Sequence, residues 1–199
     1  MHLSRPDLPR RHLPILSIAA ALLCFALPAF AEPAAKLVPA QSEIVFVTKQ
    51  MGVPVEGRFK RFDAQIAFDP KNPDTGSVSF AIDTTSATLG IPETDAELPK
   101  PTWLGVGKFP AASFRSTSLK GLGGGRFEVA GKLTIKGMAR ELTVPVTLTQ
   151  ASGTSVATGS FAVKRLEFNI GEGEWADTSM IANDVQVRFK LTLTGLGSL

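Results

Sequence analysis

Residues 184–194 have the sequence DVQVRFKLTLT, in which apolar and polar side chains alternate without a break. Successive side chains of a β-strand point to opposite faces, so every second residue shares a face. The alternation therefore predicts a strand that covers an apolar core with one face and meets water with the other. The predicted apolar face consists of Val185, Val187, Phe189, Leu191 and Leu193.

The same alternation recurs upstream in short segments separated by Gly, Pro, Asn and Asp, and no stretch indicates a long amphipathic helix. In residues 53–68 the apolar parity changes between Phe59 and Phe62, which predicts a bulge or turn there. Pro145 cannot donate a ladder hydrogen bond, so it predicts a bulge or a sheet edge. The predicted strands are residues 43–49, 53–68, 77–83, 112–119, 126–136, 141–149, 157–165 and 184–194.

About eight antiparallel strands predict an all-β fold, which could be a sandwich or a barrel. An eight-stranded barrel has an interior just wide enough to be filled by side chains or to hold one small ligand. Gly131 falls on the apolar parity of its strand, where the missing side chain leaves space. Residues 92–108 do not alternate, and we interpret them as one or two short helical turns lying over the sheet.

The first 31 residues have the parts of a secretory signal peptide. Three Arg between residues 5 and 11 precede an apolar run, and Ala29-Phe30-Ala31 supplies the cleavage pattern. The apolar run has about 15 residues, whereas a spanning helix needs roughly 20. We predict that residues 1–31 are cleaved and that residues 32–199 form one domain, with a membrane anchor or lipid attachment at Cys24 as alternatives.

Removal of the predicted signal changes the composition. Three of the 21 Lys+Arg and one of the 18 Asp+Glu would leave, so the net charge would fall from +3 to +1. The remaining chain has no His, Cys or Tyr, which excludes a thiol nucleophile, a Ser-His-Asp triad and a zinc site built on His or Cys. Its balanced charge argues against a nucleic-acid binder. Carboxylate chemistry, oxygen-ligated metals or the absence of catalysis remain.

Acidic side chains occur together in two of the predicted loops. Paired carboxylates can perform acid–base chemistry or bind calcium. Neither group has another catalytic residue beside it, so we interpret both as solvated loop residues. The first group is Glu93, Asp95 and Glu97, and the second is Glu172, Glu174 and Asp177.

An ordered set of motifs resembles the periplasmic YceI family over nearly the whole predicted mature chain. A departure occurs at Glu167-Phe168-Asn169, where many members have Asp-Phe-Gly. Residues 171–177 are similar to a subgroup related to proteins associated with cytochrome b561. The matching motifs are SEIVF (42–46), VEGRF (55–59) followed by Phe62, AFDP (67–70), KFPAASF (108–114), GKLTIKG (131–137), KRLEFNIG (164–171) and Asp184-Val185.

This resemblance implies a lipocalin-like, eight-stranded antiparallel barrel. It also implies a hydrophobic tunnel that binds a long polyisoprenoid chain, such as the tail of a quinone or a related lipid. Family members are mostly exported to the periplasm and are often dimeric. A cytochrome b561-like protein of the inner membrane is a candidate partner by resemblance alone.

The candidate ligand-binding residues are large apolar side chains without a hydroxyl group, which suit a lining that leaves no polar atom unpaired. An ordinary packed core would use the same residues. Trp103 and Trp175 lie in irregular, polar segments and are candidates for the mouth of the barrel or for a plug that seals it. Arg165 is expected to pair with Glu167 in a structural salt bridge, or else with a ligand head group. The other candidates are Phe46, Phe59, Phe62, Ile66, Phe80, Ile82, Phe114, Phe161, Phe168 and Phe189.

The sequence therefore favours a non-enzymatic periplasmic carrier or scavenger of isoprenoid-type lipids, with no catalytic residue, metal or cofactor other than a bound lipid or quinone. One alternative is a hydrolase or isomerase, which would need two carboxylates inside the barrel. Another is a structural stress-response protein with a filled core, which would lack a cavity of a few hundred Å³.

Overall fold

Eleven strand segments account for most of residues 34–199, the part of the chain that this computed structural model describes. The predicted signal peptide, residues 1–31, lies outside the described residues. The one α-helix among the described residues, α1, is a single turn at Pro92–Asp95, and no helix in this part is long and apolar enough to cross a membrane. The strands are β1 (Ala34–Leu37), β2 (Glu43–Gln50), β3 (Val53–Phe59), β4 (Phe62–Ala67), β5 (Ser77–Asp83), β6 (Ala87–Thr88), β7 (Ala111–Gly123), β8 (Arg126–Ile135), β9 (Met138–Ala151), β10 (Thr154–Lys164) and β11 (Asp184–Thr194).

The eleven segments form eight barrel strands, because three strands are interrupted. A 3-10 turn at Pro39–Gln41 separates β1 from β2, two residues separate β3 from β4, and a 3-10 turn at Thr84–Ser86 separates β5 from β6. Each strand pairs antiparallel with its neighbour in the chain, and β11 pairs with both β2 and β1. This last pairing closes the sheet, so the predicted eight-stranded barrel is confirmed and the sandwich is excluded.

Tight turns connect several of the strands. Two-residue hairpins with positive φ at both positions are type I′ turns, whose twist matches that of the flanking strands. Four hairpins of the barrel have this form, with Gly in the second position each time. They are Met51-Gly52, Gly124-Gly125, Lys136-Gly137 and Ser152-Gly153.

The observed strands agree closely with the alternation in the sequence. β5 and β11 have the predicted bounds, and the predicted break between Phe59 and Phe62 separates β3 from β4. Pro145 pairs in register with Glu128, and the ladder between β9 and β10 ends at the next residue, so Pro145 lies at a local sheet edge as expected. β1 and β6 were not predicted, because four and two residues are too few to show a period.

The two ends of the barrel differ. At the base, the Phe68 and Phe127 rings meet edge to face with their centres 5.2 Å apart, and Leu119, Leu148 and Leu193 are fully buried around them. At the opposite end, which we call the cap end, β2, β6, β8 and β10 finish and residues 89–110 and 165–183 connect strands. Side chains from both of these segments reach the barrel interior. The base is therefore a packed core, and the cap end is covered by loops.

Candidate ligand-binding cavity

The middle of the barrel is hollow. Phe80, Phe114 and Phe189 point inward yet are only partly buried, whereas Leu119 and Leu193 at the base are each 3% exposed. The partly buried side chains line a cavity of about 280 Å³. This volume is near the lower end of the range for ligand pockets, roughly 300–1,000 Å³. It is also about twice the roughly 150 Å³ of an engineered cavity that stays dry and binds benzene.

The cavity lining is almost entirely apolar. Among residues 34–199, the polar residues of the lining are Thr48, Thr84 and Arg165, besides the indole of Trp103, and no Asp or Glu of this part of the chain belongs to the lining. An apolar chain could enter without displacing favourable polar contacts, whereas an unpaired charge would be strongly disfavoured. The pair of interior carboxylates required by a hydrolase or isomerase is absent from this lining.

Nine of the twelve candidate ligand-binding residues belong to the lining, and three do not. The nine come from six of the barrel strands and from the first cap segment. They are Phe46, Phe59, Ile66, Phe80, Ile82, Trp103, Phe114, Phe161 and Phe189. The remaining three are Phe62, Phe168 and Trp175.

These three residues pack elsewhere for identifiable reasons. Phe62 pairs with Ile82 at the start of β4, packs against the barrel core and borders an outer groove. Phe168 is fully buried beneath the guanidinium of Arg140, whose carbon lies 5.9 Å from the ring centre. Trp175 packs against Trp103, with ring centres 5.7 Å apart, and Trp103 alone of the two reaches the cavity.

Three inward glycines form part of the barrel wall. The Phe46 ring covers Gly57, the Phe114 ring covers Gly131, and the Phe189 ring covers Gly159, each from the adjacent strand. The space expected at Gly131 is therefore occupied by the Phe114 ring. Because a ring can lie against a glycine wall, it projects less far into the lumen than it would over a larger residue. This arrangement keeps the interior open.

Gly57→Ala is expected to narrow the cavity. A methyl group at this position would overlap the Phe46 ring and the Leu89 side chain, which supply the three atoms nearest to it. We expect the ring to turn into the lumen and the affinity for an isoprenoid ligand to fall about tenfold, since overpacking typically costs about 1–3 kcal/mol. Isothermal titration calorimetry measures this loss. Gly107→Ala is the matched control because a methyl group there meets open space, and equal affinity of the two variants would contradict the prediction.

Arg165 organises the cap end. Its side chain is 2% exposed, and it donates hydrogen bonds to four backbone carbonyl oxygens. Nε bonds Ala182 O (3.1 Å), Nη2 bonds Ile181 O (2.7 Å), and Nη1 bonds Ile170 O (2.9 Å) and Gly171 O (3.1 Å). The guanidinium thus ties both ends of residues 170–182 together, and its burial lowers its pKa.

The salt bridge expected between Arg165 and Glu167 is wrong. Glu167 lies near Arg140, with 3.7 Å between Nε and Oε2, and both side chains are partly exposed. Arg140 also donates from Nη2 to Glu167 O (2.9 Å), which holds the 3-10 turn Arg165–Phe168 against β9. Asn169 ends this turn with φ +56°, a left-handed conformation that Asn tolerates better than most residues. Glu167-Phe168-Asn169 differs from the Asp-Phe-Gly of many family members, yet its Asn adopts the left-handed conformation that Gly would allow at the same position.

Some acidic residues of both loop groups make local contacts. Glu172 accepts a hydrogen bond from Lys136 Nζ (2.7 Å), and Lys136 also donates to Asn169 O. Asp95 accepts from Thr88 Oγ1 (2.5 Å) and the backbone N–H of Leu89, and these bonds lower the pKa of Asp95. Within residues 34–199, no three Asp, Glu, His or Cys side chains come together as a metal site.

Comparisons with known proteins agree with the fold and the motifs. The crystal structure of Burkholderia cenocepacia BcnA is 41% identical, with a TM-score of 0.77, and the match covers 79% of this chain and 99% of BcnA. Protein YceI of Salmonella arizonae is 38% identical over 92 residues. That match spans 46% of this chain and 48% of the Salmonella protein, about half the length of this curated relative.

A more distant structure has the same fold. A polyisoprenoid binding domain from Saccharophagus degradans, implicated in plant cell wall breakdown, is 16% identical with a TM-score of 0.67. The match covers 82% of this chain and 99% of that domain. A family model for the YceI-like domain matches residues 36–193, which is most of the chain. The chain therefore belongs to the YceI-like family.

Proposed function

We propose that this protein is a non-enzymatic lipid-binding protein of the periplasm, which holds an isoprenoid-type lipid or the tail of a quinone and acts as a carrier or scavenger. The observation that carries the proposal is the closed barrel with an apolar cavity of about 280 Å³ and no carboxylate in its lining. Family membership and the polyisoprenoid-binding relative support the ligand class. The predicted signal peptide supports export.

The size of the cavity limits which part of a lipid it holds without rearrangement. A volume of about 280 Å³ corresponds to about two benzene rings, or roughly a dozen carbons. Burial of each methylene is worth about 0.8 kcal/mol, so a chain of this length has about 10 kcal/mol of gross driving force, part of which is lost in ordering the chain. Longer chains would require inward rings to turn. We therefore expect geranyl compounds, with ten carbons, to bind without rearrangement, and farnesyl compounds, with fifteen, to bind after a small turn of the inward rings.

The proposed function predicts that lipid copurifies with the protein. Organic extraction followed by mass spectrometry is expected to recover an isoprenoid lipid or quinone near one molecule per chain. An unrelated periplasmic protein purified from the same cells controls for carry-over. Protein that is empty after purification, and that also fails to bind farnesyl compounds, fatty acids and quinones in titration, would refute the proposal.

The two alternatives are less well supported by the interior. A filled-core protein would not need an open cavity, and a hydrolase or isomerase would need carboxylates that the lining does not contain. The homodimer and the cytochrome b561-like partner stay predictions from the family resemblance. Light scattering tests the first, and copurification from solubilised inner membranes tests the second.

A further inference from the structure

The barrel wall is not hydrogen-bonded along its whole height. The ladder between β9 and β10 stops at the pair Val146 and Gly159, although both strands extend further. Beyond this pair, residues 138–145 of β9 are paired with β8, and residues 160–164 of β10 are paired with β11. Among the described residues, the two stretches are not paired with each other. We call the boundary between them the lateral seam.

Pro145 explains why the ladder stops at this point. On the β8 side of β9, the N–H of Leu148 donates a hydrogen bond to Gly125 O (2.7 Å). Backbone groups of successive strand residues point to opposite sides within the plane of the sheet, so those of Pro145, three residues away, point toward β10. A proline nitrogen carries no hydrogen, so the next bond from β9 to β10 has no donor. The lateral seam is therefore a consequence of the sequence of β9.

The 3-10 turn Arg165–Phe168, which continues from β10, packs against β9 at the seam. Arg140 Nη2 donates to Glu167 O (2.9 Å), and the Phe168 ring is fully buried beneath the Arg140 guanidinium. Leu142 has the inward parity of β9 and is partly buried, yet it does not line the cavity. The turn therefore closes the seam with side chains rather than with ladder hydrogen bonds.

The cavity lies directly behind the lateral seam. Val144 of β9 and both Phe161 and Val163 of β10 belong to the two unpaired stretches, and all three line the cavity. Each of these side chains is apolar, so a hydrocarbon chain that crossed the seam would meet apolar side chains on both sides of its path. The seam is therefore a boundary of the cavity that suits the passage of an apolar ligand.

The two ends of the barrel are held more firmly than the seam. The base is a packed core, and the buried Arg165 holds the cap end through four hydrogen bonds. At the seam, side-chain bonds from Arg140 to Glu167 O and from Lys136 to Asn169 O hold the turn against the hairpin between β8 and β9. Movement of the turn away from β9 would break these bonds and leave every ladder of the barrel intact.

We propose that the lateral seam is the portal through which the apolar ligand enters and leaves the barrel, and that residues 166–169, which hinge on the fixed Arg165, are the flap that closes it. This inference rests on the proposed function and adds a route to it. Pro145 keeps the portal free of ladder bonds, and Arg140 holds the flap shut. Both are positioning residues, so changes to them are expected to alter the rates of uptake and release rather than the affinity.

A cross-link across the seam tests the portal. Thr143→Cys and Ala162→Cys place thiols on exposed positions of the two unpaired stretches, and Cys24→Ser leaves them as the only thiols of the full chain. A short bismaleimide joins the two thiols in the delipidated protein, and mass spectrometry verifies the link. We expect farnesol uptake to slow about tenfold or more, because the portal must open before the ligand passes. Stopped-flow tryptophan fluorescence measures the rate, since Trp103 lines the cavity.

The intact part of the same ladder provides the matched control. Thr147 and Thr158 are exposed partners in the register of β9 and β10. The pair Thr147→Cys and Thr158→Cys, joined by the same reagent, links strands that are already hydrogen-bonded. Its rate of farnesol uptake should equal that of the protein without a cross-link. Calorimetric titration after long incubation should give both cross-linked proteins the affinity of the unmodified protein.

Arg140→Met tests the flap in the opposite direction. The substitution removes the donor to Glu167 O and keeps an apolar side chain over Phe168. Uptake and release of farnesol should both become about fivefold faster with an unchanged Kd, as the loss of one hydrogen bond in the closed state warrants. Arg188→Met is the control, because it breaks an exposed pair with Glu56 (2.7 Å) and should change neither rate.

The results distinguish the portal from the proposed function. If the protein cross-linked across the seam takes up farnesol as fast as its control, the portal is refuted and the proposed function stands. If Arg140→Met exchanges farnesol at the unmodified rate, the flap is refuted. If the unmodified protein binds no farnesol, fatty acid or quinone, the proposed function itself fails. Should the reagent not join Thr143→Cys to Ala162→Cys, the rates of Arg140→Met decide between a portal at the seam and entry over the cap end.

Discussion

Phe114→Asp is expected to abolish lipid retention, with a loss of affinity for farnesyl ligands of about a hundredfold or more. Phe114 lies directly opposite Phe80 on the neighbouring strand, and both rings line the cavity. Among the described lining residues, only Thr48, Thr84, Trp103 and Arg165 could donate a hydrogen bond to the new carboxylate, and Arg165 already donates to four carbonyl oxygens. An unpaired polar group in such a site costs several kcal/mol, and a hundredfold loss corresponds to about 2.7 kcal/mol. Calorimetric titration of the delipidated variant measures the loss.

The next residue of the same strand provides the control. Arg115 is exposed on the outer face of β7, so Arg115→Asp introduces the same side chain without altering the cavity. Its affinity should equal that of the unmodified protein. Circular dichroism establishes that each variant is folded, and Phe114→Trp, which fills the lumen while keeping it apolar, serves if Phe114→Asp unfolds. A folded Phe114→Asp protein that retains lipid normally would show that the cavity is not the binding site.

Sequence alternation predicts which strand side chains enter the barrel, because the period of two is a property of the backbone. For this reason the inward residues of Asp184–Thr194 and of most other strands could be read from the sequence. The inward position of the three glycines could also be predicted, since Gly57, Gly131 and Gly159 all share the parity of the apolar residues in their strands. Their pairing with Phe46, Phe114 and Phe189 depends on register, which parity alone does not determine.

The loops explain most of the differences between prediction and structure. Phe168 and Trp175 lie in 3-10 turns, where no period indicates the direction of a side chain. Arg165 could not be assigned because its partners are backbone carbonyl groups 5 to 17 residues away, which the side-chain pattern does not reveal. Whether the core is open or filled also depends on how far rings project inward. That quantity follows from the tertiary structure rather than from composition.

Arg165→Met is expected to lower the free energy of unfolding by about 3–5 kcal/mol. The substitution keeps an apolar side chain of similar length but leaves the carbonyl groups of Ile170, Gly171, Ile181 and Ala182 without their donor. Each buried group left unsatisfied costs about 1–3 kcal/mol, and water that reaches some of them reduces the sum. For a domain of this size, the midpoint of thermal unfolding should fall by about 10 °C. Differential scanning calorimetry of the lipid-free protein measures this fall.

Arg140→Met is the matched control, because Arg140 also belongs to the cap end but is partly exposed. Its pair with Glu167 joins side chains that are 40% and 48% exposed, and such pairs contribute about 0–1 kcal/mol. The difference between the two variants therefore isolates the effect of burying a guanidinium among carbonyl groups. Near-ultraviolet circular dichroism follows Trp103 and Trp175, which pack together beside this network. If Arg165→Met is no less stable than Arg140→Met and keeps the tryptophan signal, residues 165–183 are held over the barrel by contacts other than the buried arginine.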